Sequence, residues 1–269
     1  MRRLLLLLFL LPVALLTWSL GLARSDPVVR RASVALPGWP AGARPVRVAL
    51  LSDIHIGNLA TGPKRLRRIV AQVNALRPDL VILAGDFIAG HEREDARAAP
   101  GLIELGRLRA PLGVVAVLGN HEYWTDPRAA RRALERAGVT VLGNAATRRG
   151  PLAVGGLDDM VTRHADLPAT LRAMERAGGA RLLVSHSPDI APALPPGVPL
   201  LLAGHTHCGQ VSLPLYGPPV DVSRYGARYR FGPVREGGRL TVVTAGTGTS
   251  ALPVRFGVPP DLWVLTVGP

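Results

Sequence analysis

Residues Leu201–Gln210 read LLAGHTHCGQ, a short apolar run that breaks at Gly204 into His205-Thr206-His207. The run has the character of a buried strand. Gly204 frees the backbone beyond it, so two imidazoles two residues apart can converge on one site without a helix between them. Four earlier places end the same way. Val46–Leu51 runs into Ser52-Asp53-Ile54-His55, Leu80–Ala84 into Gly85-Asp86, Val114–Leu118 into Gly119-Asn120-His121-Glu122, and Leu182–Val184 into Ser185-His186-Ser187. A lone Asp after Gly is ordinarily a turn or a helix cap. Five polar clusters, each closing its own apolar strand, point instead to a metal site. Five of the seven histidines lie at these tips; His91 and His164 lie outside them.

Between the tips the chain alternates strand and helix. Pro63 suits a first helical position, and Leu66, Ile69, Val70 and Val73 repeat at helical spacing while Arg65, Arg67 and Arg68 are expected to face outward. Further helices are expected over Gly101–Arg109, Pro127–Ala137 and Pro168–Ala177, each between apolar runs, which implies βαβ units. Later strands are expected near Leu152–Gly155, Val211–Leu213, Leu240–Thr244 and Leu262–Val267. Their closer spacing suggests a second, more antiparallel sheet. In open α/β sheets, ligands gather at the carboxyl ends of strands, where Asp53, His55, Asp86, Asn120, His121, His186, His205 and His207 would sit.

Residues 1–24 hold an apolar run, Leu4–Ala23, preceded by Arg2 and Arg3 and about 20 residues long, enough to span a bilayer. That length favours an anchor that would hold the protein at a bacterial inner or cell membrane. Gly21 and Ala23, spaced as at a signal-peptidase site, leave cleavage and secretion as the alternative. Residues 25–45, rich in Pro, Gly and Ala, read as a linker, and residues 46–269 as the folded domain. The net charge of +13 points to an anionic partner. Lys64 is the only lysine, so the excess is arginine. Cys208 stands alone, which excludes an internal disulfide or a multi-cysteine zinc site, so any ligands are His, Asp, Asn or Glu.

The ordered set Asp-x-His, Gly-Asp, Gly-Asn-His-Glu, Ser-His and Gly-His-Thr-His resembles the calcineurin-like metallophosphoesterase superfamily. More narrowly, GHTHCGQVSLP, YGARYRFG and TAGTGTSALPVRFGVPP are similar to a branch of small bacterial membrane-associated phosphodiesterases of the YaeI/YkuE type. The resemblance implies an α/β fold, a four-layer αββα sandwich with two central mixed sheets, and two divalent metal ions (Mn, Fe, Zn, Ni or Co). It places Asp53, His55 and His207 on one metal, Asn120, His186 and His205 on the other, and Asp86 between them. His121 would stay off the metals as the general acid. Where relatives carry a second acidic residue to support that histidine, this chain has Ala89, which leaves Glu122 or Asp159 to orient it.

The expected activity is hydrolysis of a phosphodiester or pyrophosphate bond in a phosphorylated small molecule or lipid. A lipid-linked substrate such as UDP-2,3-diacylglucosamine, in lipid A synthesis, is one candidate. A metal-dependent nuclease and a non-catalytic scaffold are the alternatives; a membrane anchor argues against nucleic acid, and a scaffold has no need of His121. Gly246-Thr247-Gly248 lacks the remaining residues of a phosphate loop and reads as a strand-end turn. Asp158-Asp159 reads as a turn, and Ser185-His186 is no nucleophile pair, since strand neighbours face opposite ways. Tyr216–Arg235, which interleaves tyrosine, phenylalanine and arginine, is either a basic aromatic rim or a solvated hairpin loop.

Overall fold

A computed structural model of the chain describes the backbone from Arg2 to Pro269 and the side chains from Leu10 onward. The apolar segment Leu4–Ala23 therefore lies partly outside the described side chains. It belongs to helix α1 (Arg2–Arg24), and among the described residues no helix is long and apolar enough to cross a membrane.

Two six-stranded mixed sheets lie face to face. The first runs β1 (Val28–Ala35), β12 (Asp261–Gly268), β2 (Val46–Leu51), β3 (Leu80–Ala84), β4 (Val114–Val117), β5 (Thr140–Leu142). The second runs β10 (Gly232–Glu236), β11 (Arg239–Val243), β9 (Leu200–Ala203), β8 (Ala180–Val184), β7 (Leu152–Gly156), β6 (Ala145–Arg149). In the second, antiparallel pairs occur only at the edges, β10 with β11 and β6 with β7, while β7, β8, β9 and β11 are parallel. The site-bearing strands are thus parallel in both sheets, and their carboxyl ends line one edge of the sandwich.

Continuous apolar strands are what a four-layer arrangement demands, because each strand is covered on both faces. Alternation then divides each strand between two cores. Ala49, Leu51, Val81 and Leu83 face the outer helices, whereas Val48, Leu50, Leu80 and Ile82 face the second sheet. Leu182 and Leu202 meet them there, and Leu183 and Leu201 turn to the opposite outer layer. The outer layers are helical. Helix α2 (Pro63–Ala75) has Pro63 in its first turn and buries Leu66, Ile69, Val70 and Val73. After the short α3 (Asn120–Trp124), α4 (Pro127–Arg136) is capped by the Asp126 carboxylate. On the far face, α5 (Leu167–Ala177) is capped by Asp166.

Four expectations need correction. Residues 25–45 are not a linker: β1 pairs with β12 along its whole length, from Val28 opposite Asp261 to Ala35 opposite Gly268. Arg65 faces inward, donating to the carbonyls of Arg24 and Ser25 and to the Thr61 hydroxyl. The stretch Arg93–Arg107 forms 3₁₀ turns rather than an α-helix over Gly101–Arg109, in keeping with Pro100, which has no N–H to donate and crowds the preceding turn. Val211–Leu213 makes only isolated bridges, to Phe256 and Gly217, with Pro214, Pro218 and Pro219 interrupting any ladder.

Candidate metal centre

All five tips come together. Asp53 and His55 follow β2, Asp86 follows β3, Asn120 and His121 open α3 after β4, His186 follows β8, and His205 and His207 follow β9. The turns off the strands are tight. Asp53, His55, Asp86, His205 and His207 have φ of 54°, 48°, 55°, 72° and 51°, in the left-handed region where a side chain costs ~1–2 kcal/mol. Strain repeated at five functional side chains persists only because the packed sheets hold the backbone there.

The donor atoms form three groups, each within 4.8 Å: Asp53, His55 and His207; His55, Asp86 and His121; Asp86, His186 and His205. His55 Nε2 lies 3.1 Å from His207 Nε2, and His207 Nε2 lies 3.2 Å from Asp53 Oδ1. On the other side His186 Nε2 lies 3.1 Å from Asp86 Oδ2, 3.1 Å from Asn120 Oδ1 and 3.2 Å from His205 Nδ1. Asp86 Oδ2 is also 3.7 Å from His55 Nε2. It therefore stands between the two sets.

Supporting groups fix these orientations. His186 Nδ1–H donates to the Ala84 carbonyl at 2.7 Å, which turns Nε2 toward the cluster. The His121 backbone N–H binds Asp86 Oδ1 at 3.0 Å and leaves Oδ2 facing the imidazoles. The His205 backbone N–H binds both oxygens of Asp53. Burial keeps His55 and His121 below the usual histidine range, and burial with the neighbouring His186 takes His205 down to about 4. The rings of His55 and His205 are therefore neutral at pH 7 and offer lone pairs. Burial opposes charge on His186 too, but the Asp86 carboxylate against it prevails and raises it to about 10. Burial likewise opposes charge on Asp53 and Asp86, and the surrounding imidazoles hold both below the ordinary carboxylate value. Two ionised carboxylates ringed by converging imidazole nitrogens suit a divalent cation.

His121 sits apart from the tightest contacts. Its Nδ1 lies 2.7 Å from the Gly90 carbonyl, and its Nε2 lies 3.9 Å from Asp86 Oδ2 and 3.4 Å from Ser250 Oγ. Neither Glu122 nor Asp159 reaches the ring. Glu122 accepts backbone N–H groups from Asp86, Phe87, Ile88 and Gly119, and so ties the β3 tip to α3. Asp159 closes a turn on Thr162, as its motif suggested. Beside His121 opens a cleft of ≈ 240 Å³ lined in part by His55, Asn58, His91 and Ser250. His91, outside every strand-tip motif, packs at a tilt against both His121 and Trp124 at centroid distances of 4.7 and 4.9 Å. His164 lies elsewhere, stacked on Tyr123.

Two features escape a reading of the sequence. Gly246-Thr247-Gly248 is more than a turn after β11: Thr247 and Gly248 donate to the Ser52 and Asp53 carbonyls, and a Cβ on Gly246 would overlap Asp53. Gly204 is equally confined, against Ser52 and Asp53. Arg255, fully buried, clamps this loop through the carbonyls of Ala245, Gly246 and Gly248 and comes within 3.4 Å of His207 Nδ1. An arginine inside an apolar stretch is the available signal. The segment Tyr216–Arg235 is neither a plain solvated loop nor a bare basic rim: it packs Tyr229 into the core and ends in β10, while Arg228 pairs with Glu236 and Arg230 with Asp221.

A family model described as calcineurin-like phosphoesterase matches residues 46–209, the stretch from β2 to just past the last histidine. The chain belongs to that family. The family's description is that of a phosphoesterase, and this chain carries the clusters of His and Asp that could hold metal ions. It is 31% identical over 235 residues to the uncharacterized metallophosphoesterase YkuE of Bacillus subtilis, covering 85% of this chain and 81% of that one. It is 30% identical over 219 residues to a zebrafish (Danio rerio) protein named transmembrane protein with metallophosphoesterase domain, covering 75% of this chain and 49% of the other. The chain thus spans about half the length of that relative. Among solved structures, a 5'-nucleotidase precursor from Thermus thermophilus superposes with a TM-score of 0.50 at 18% identity, over 76% of this chain and 49% of that one, a likeness of fold alone.

Proposed function

We propose that this metallophosphoesterase is a binuclear enzyme that hydrolyses phosphodiester or pyrophosphate bonds. The observation that carries the reading is the position of Asp86 Oδ2, 3.7 Å from His55 Nε2 and 3.1 Å from His186 Nε2, within reach of both donor sets. Asp53, His55 and His207 would hold one cation, Asn120, His186 and His205 the other, with Asp86 shared. The donor chemistry suits Mn, Fe, Zn, Ni or Co. When bound, such a pair supplies Lewis-acid charge at the phosphoryl oxygens and activates water.

The chain's own residues account for the rest. His121 Nδ1–H is engaged by the Gly90 carbonyl, so Nε2 is the atom that meets substrate. A proton on Nε2 makes the ring an imidazolium, which burial disfavours and the Asp86 carboxylate supports. Such a proton is readily given to a leaving oxygen. His91 and Trp124 pack the ring in place, and the cleft beside it offers the leaving group a seat.

The apolar N-terminal segment and the zebrafish relative's printed name support attachment to a membrane through α1. Pairing of Arg228 and Arg230 with acids weighs against a nucleic-acid groove. The deciding experiment measures metal content and turnover of the full chain. Its substrates run from an aryl phosphodiester through nucleotide pyrophosphates to lipid-linked ones such as UDP-2,3-diacylglucosamine. About two metal ions per chain with turnover of a diester or pyrophosphate supports the reading. A folded, metal-loaded chain inert on all of them overturns it in favour of a scaffold.

A further inference from the structure

The mouth of the site and the end of α1 lie on the same edge of the molecule, joined by direct hydrogen bonds. The Arg255 backbone N–H donates to the Ser19 carbonyl at 3.1 Å, and Arg24 Nε donates to the Leu59 carbonyl at 3.2 Å. These contacts seat α1 on the two loops that line the cleft, one contributing Asn58 and the other Thr249 to Ala251. Asn58 itself ties the two together through the Thr249 carbonyl at 2.7 Å.

The outward side chains of these loops are apolar. Leu59 is 76% exposed and Leu252 65% exposed. A third loop is fastened beside them: Gln210 Nε2 donates to the carbonyls of Ser250 and Leu252, and Ser212 N–H donates to the Phe256 carbonyl. It carries Leu213, Leu215 and Tyr216, all exposed. On α1, Leu11, Leu16 and Trp18 are exposed as well. Large apolar side chains on backbone pinned by hydrogen bonds, gathered at one edge, are not the scattered exposure of an ordinary surface.

We propose that this edge is a docking face for an anionic lipid surface, with the mouth of the metal centre turned toward the bilayer. A lipid interface fits better than a second copy of the chain for two reasons. First, the apolar patch is continuous with the seat of an apolar helix whose exposed leucines already need a nonpolar phase. Second, the exposed Arg24 and Arg224 form no ion pair among the described residues, and the chain carries a net charge of +13, a charge that suits phosphate headgroups and opposes self-association. A phosphoester held at a headgroup would then meet the cleft without crossing open water. The proposal concerns access to the site and does not depend on the reaction assigned above.

The test uses the full chain with Cys208→Ser and one reporter cysteine, Leu215→Cys or Leu252→Cys, carrying an environment-sensitive fluorophore. Arg136→Cys serves as the control, since α4 runs from the site edge back to the start of β5 at the opposite edge. Each protein is bound to phosphatidylcholine–phosphatidylglycerol vesicles whose acyl chains carry spin labels, and each must melt as the unsubstituted chain does. Quenching by the lipid label and loss of iodide quenching at positions 215 and 252, with neither at 136, is the expected result. Reporters at 215 and 252 that stay open to iodide on vesicle-bound protein overturn the proposal. So does energy transfer between reporters on different copies without lipid quenching, which identifies a second chain as the occupant. Leu59→Cys repeats the measurement should either of the first two variants misfold. The readout needs no turnover, so it stands whether or not the enzyme's reaction has been assigned correctly.

Discussion

His121 Nδ1 lies 2.7 Å from the carbonyl oxygen of Gly90, one residue beyond Ala89. A backbone carbonyl fixes the ring's tautomer as a carboxylate would, but adds no charge to stabilise the imidazolium. The proton on Nε2 is therefore held more weakly, which suits donation. Substitution of His121 by Ala should leave metal content unchanged and lower turnover by roughly 10²–10⁴ for alkoxide-like leaving groups. Nitrophenolate esters, whose leaving group departs as an anion unaided, should lose far less. Equal losses on both substrates, or loss of a metal, would make the ring a ligand or a charge stabiliser instead of an acid.

His91 follows no strand, which by itself predicts an inert residue. Its packing against His121 and Trp124 predicts otherwise: His91→Ala should cost about tenfold in kcat, short of the ~10² expected when a catalytic group is displaced outright. His164→Ala, remote and stacked on Tyr123, should cost nothing. Kinetics of the two variants side by side decide the matter; matching wild-type values for both would remove His91 from the site.

What can be read from the chain divides along a physical line. Strand tips announce themselves, because a run such as Leu80–Ala84 must be covered on both faces and a polar residue just after it has few places to go. All five tips carry their residues into one cluster for that reason. The supports of the cluster are illegible because they act through backbone. Glu122 looks like a helix residue until its carboxylate is seen to collect four N–H groups, and Gly246 looks like any turn glycine until Asp53 is found against it. β1 is hidden for a different reason. It is an edge strand, mostly exposed, and its arginines mask the pattern, so nothing local separates it from a linker.

Asp86→Ala should lose both cations, since its Oδ2 lies 3.7 Å from His55 Nε2 and 3.1 Å from His186 Nε2, whereas Asn120→Ala should weaken only the set containing His186. Metal analysis after dialysis, paired with circular dichroism to confirm folding, gives the stoichiometries. A folded Asp86→Ala chain that keeps two metals and turns over normally would contradict the shared role.

Gly246 and Gly38 both have φ of +75°, so an alanine at either meets the same left-handed cost of ~1–2 kcal/mol. Around Gly38 there is open space, while a Cβ on Gly246 would strike the Asp53 side chain. Gly38→Ala should therefore lower the melting temperature and leave metal binding alone. Gly246→Ala should lower both, because Asp53 must move for the methyl group to fit. Similar metal affinity in the two variants would mean that the loop carrying Gly246 yields without disturbing Asp53.

Removing the N-terminus should have opposite consequences depending on where the cut falls. A cut after Ser25 spares β1; a cut after Pro45 removes it and uncovers β12 along its hydrogen-bonding edge. The longer deletion also takes away Arg30, whose guanidinium binds the fully buried Asp261 at 2.7 Å. Asp261 in turn binds the Thr244 hydroxyl and the Ala245 N–H, and its own N–H donates to the carbonyl of Gly246, the residue packed on Asp53. Loss of β1 thus reaches the metal centre through a chain of bonded neighbours. The chain from Asp26 onward should melt cooperatively and bind metal as the full chain does. The chain from Val46 onward should forfeit a large share of the ~5–15 kcal/mol that stabilises a typical domain, self-associate through the bared strand, and bind metal poorly even where it stays soluble. Thermal unfolding, gel filtration and metal content of the two truncations provide the comparison. A monomeric, fully metallated chain beginning at Val46 would show that β1 is dispensable.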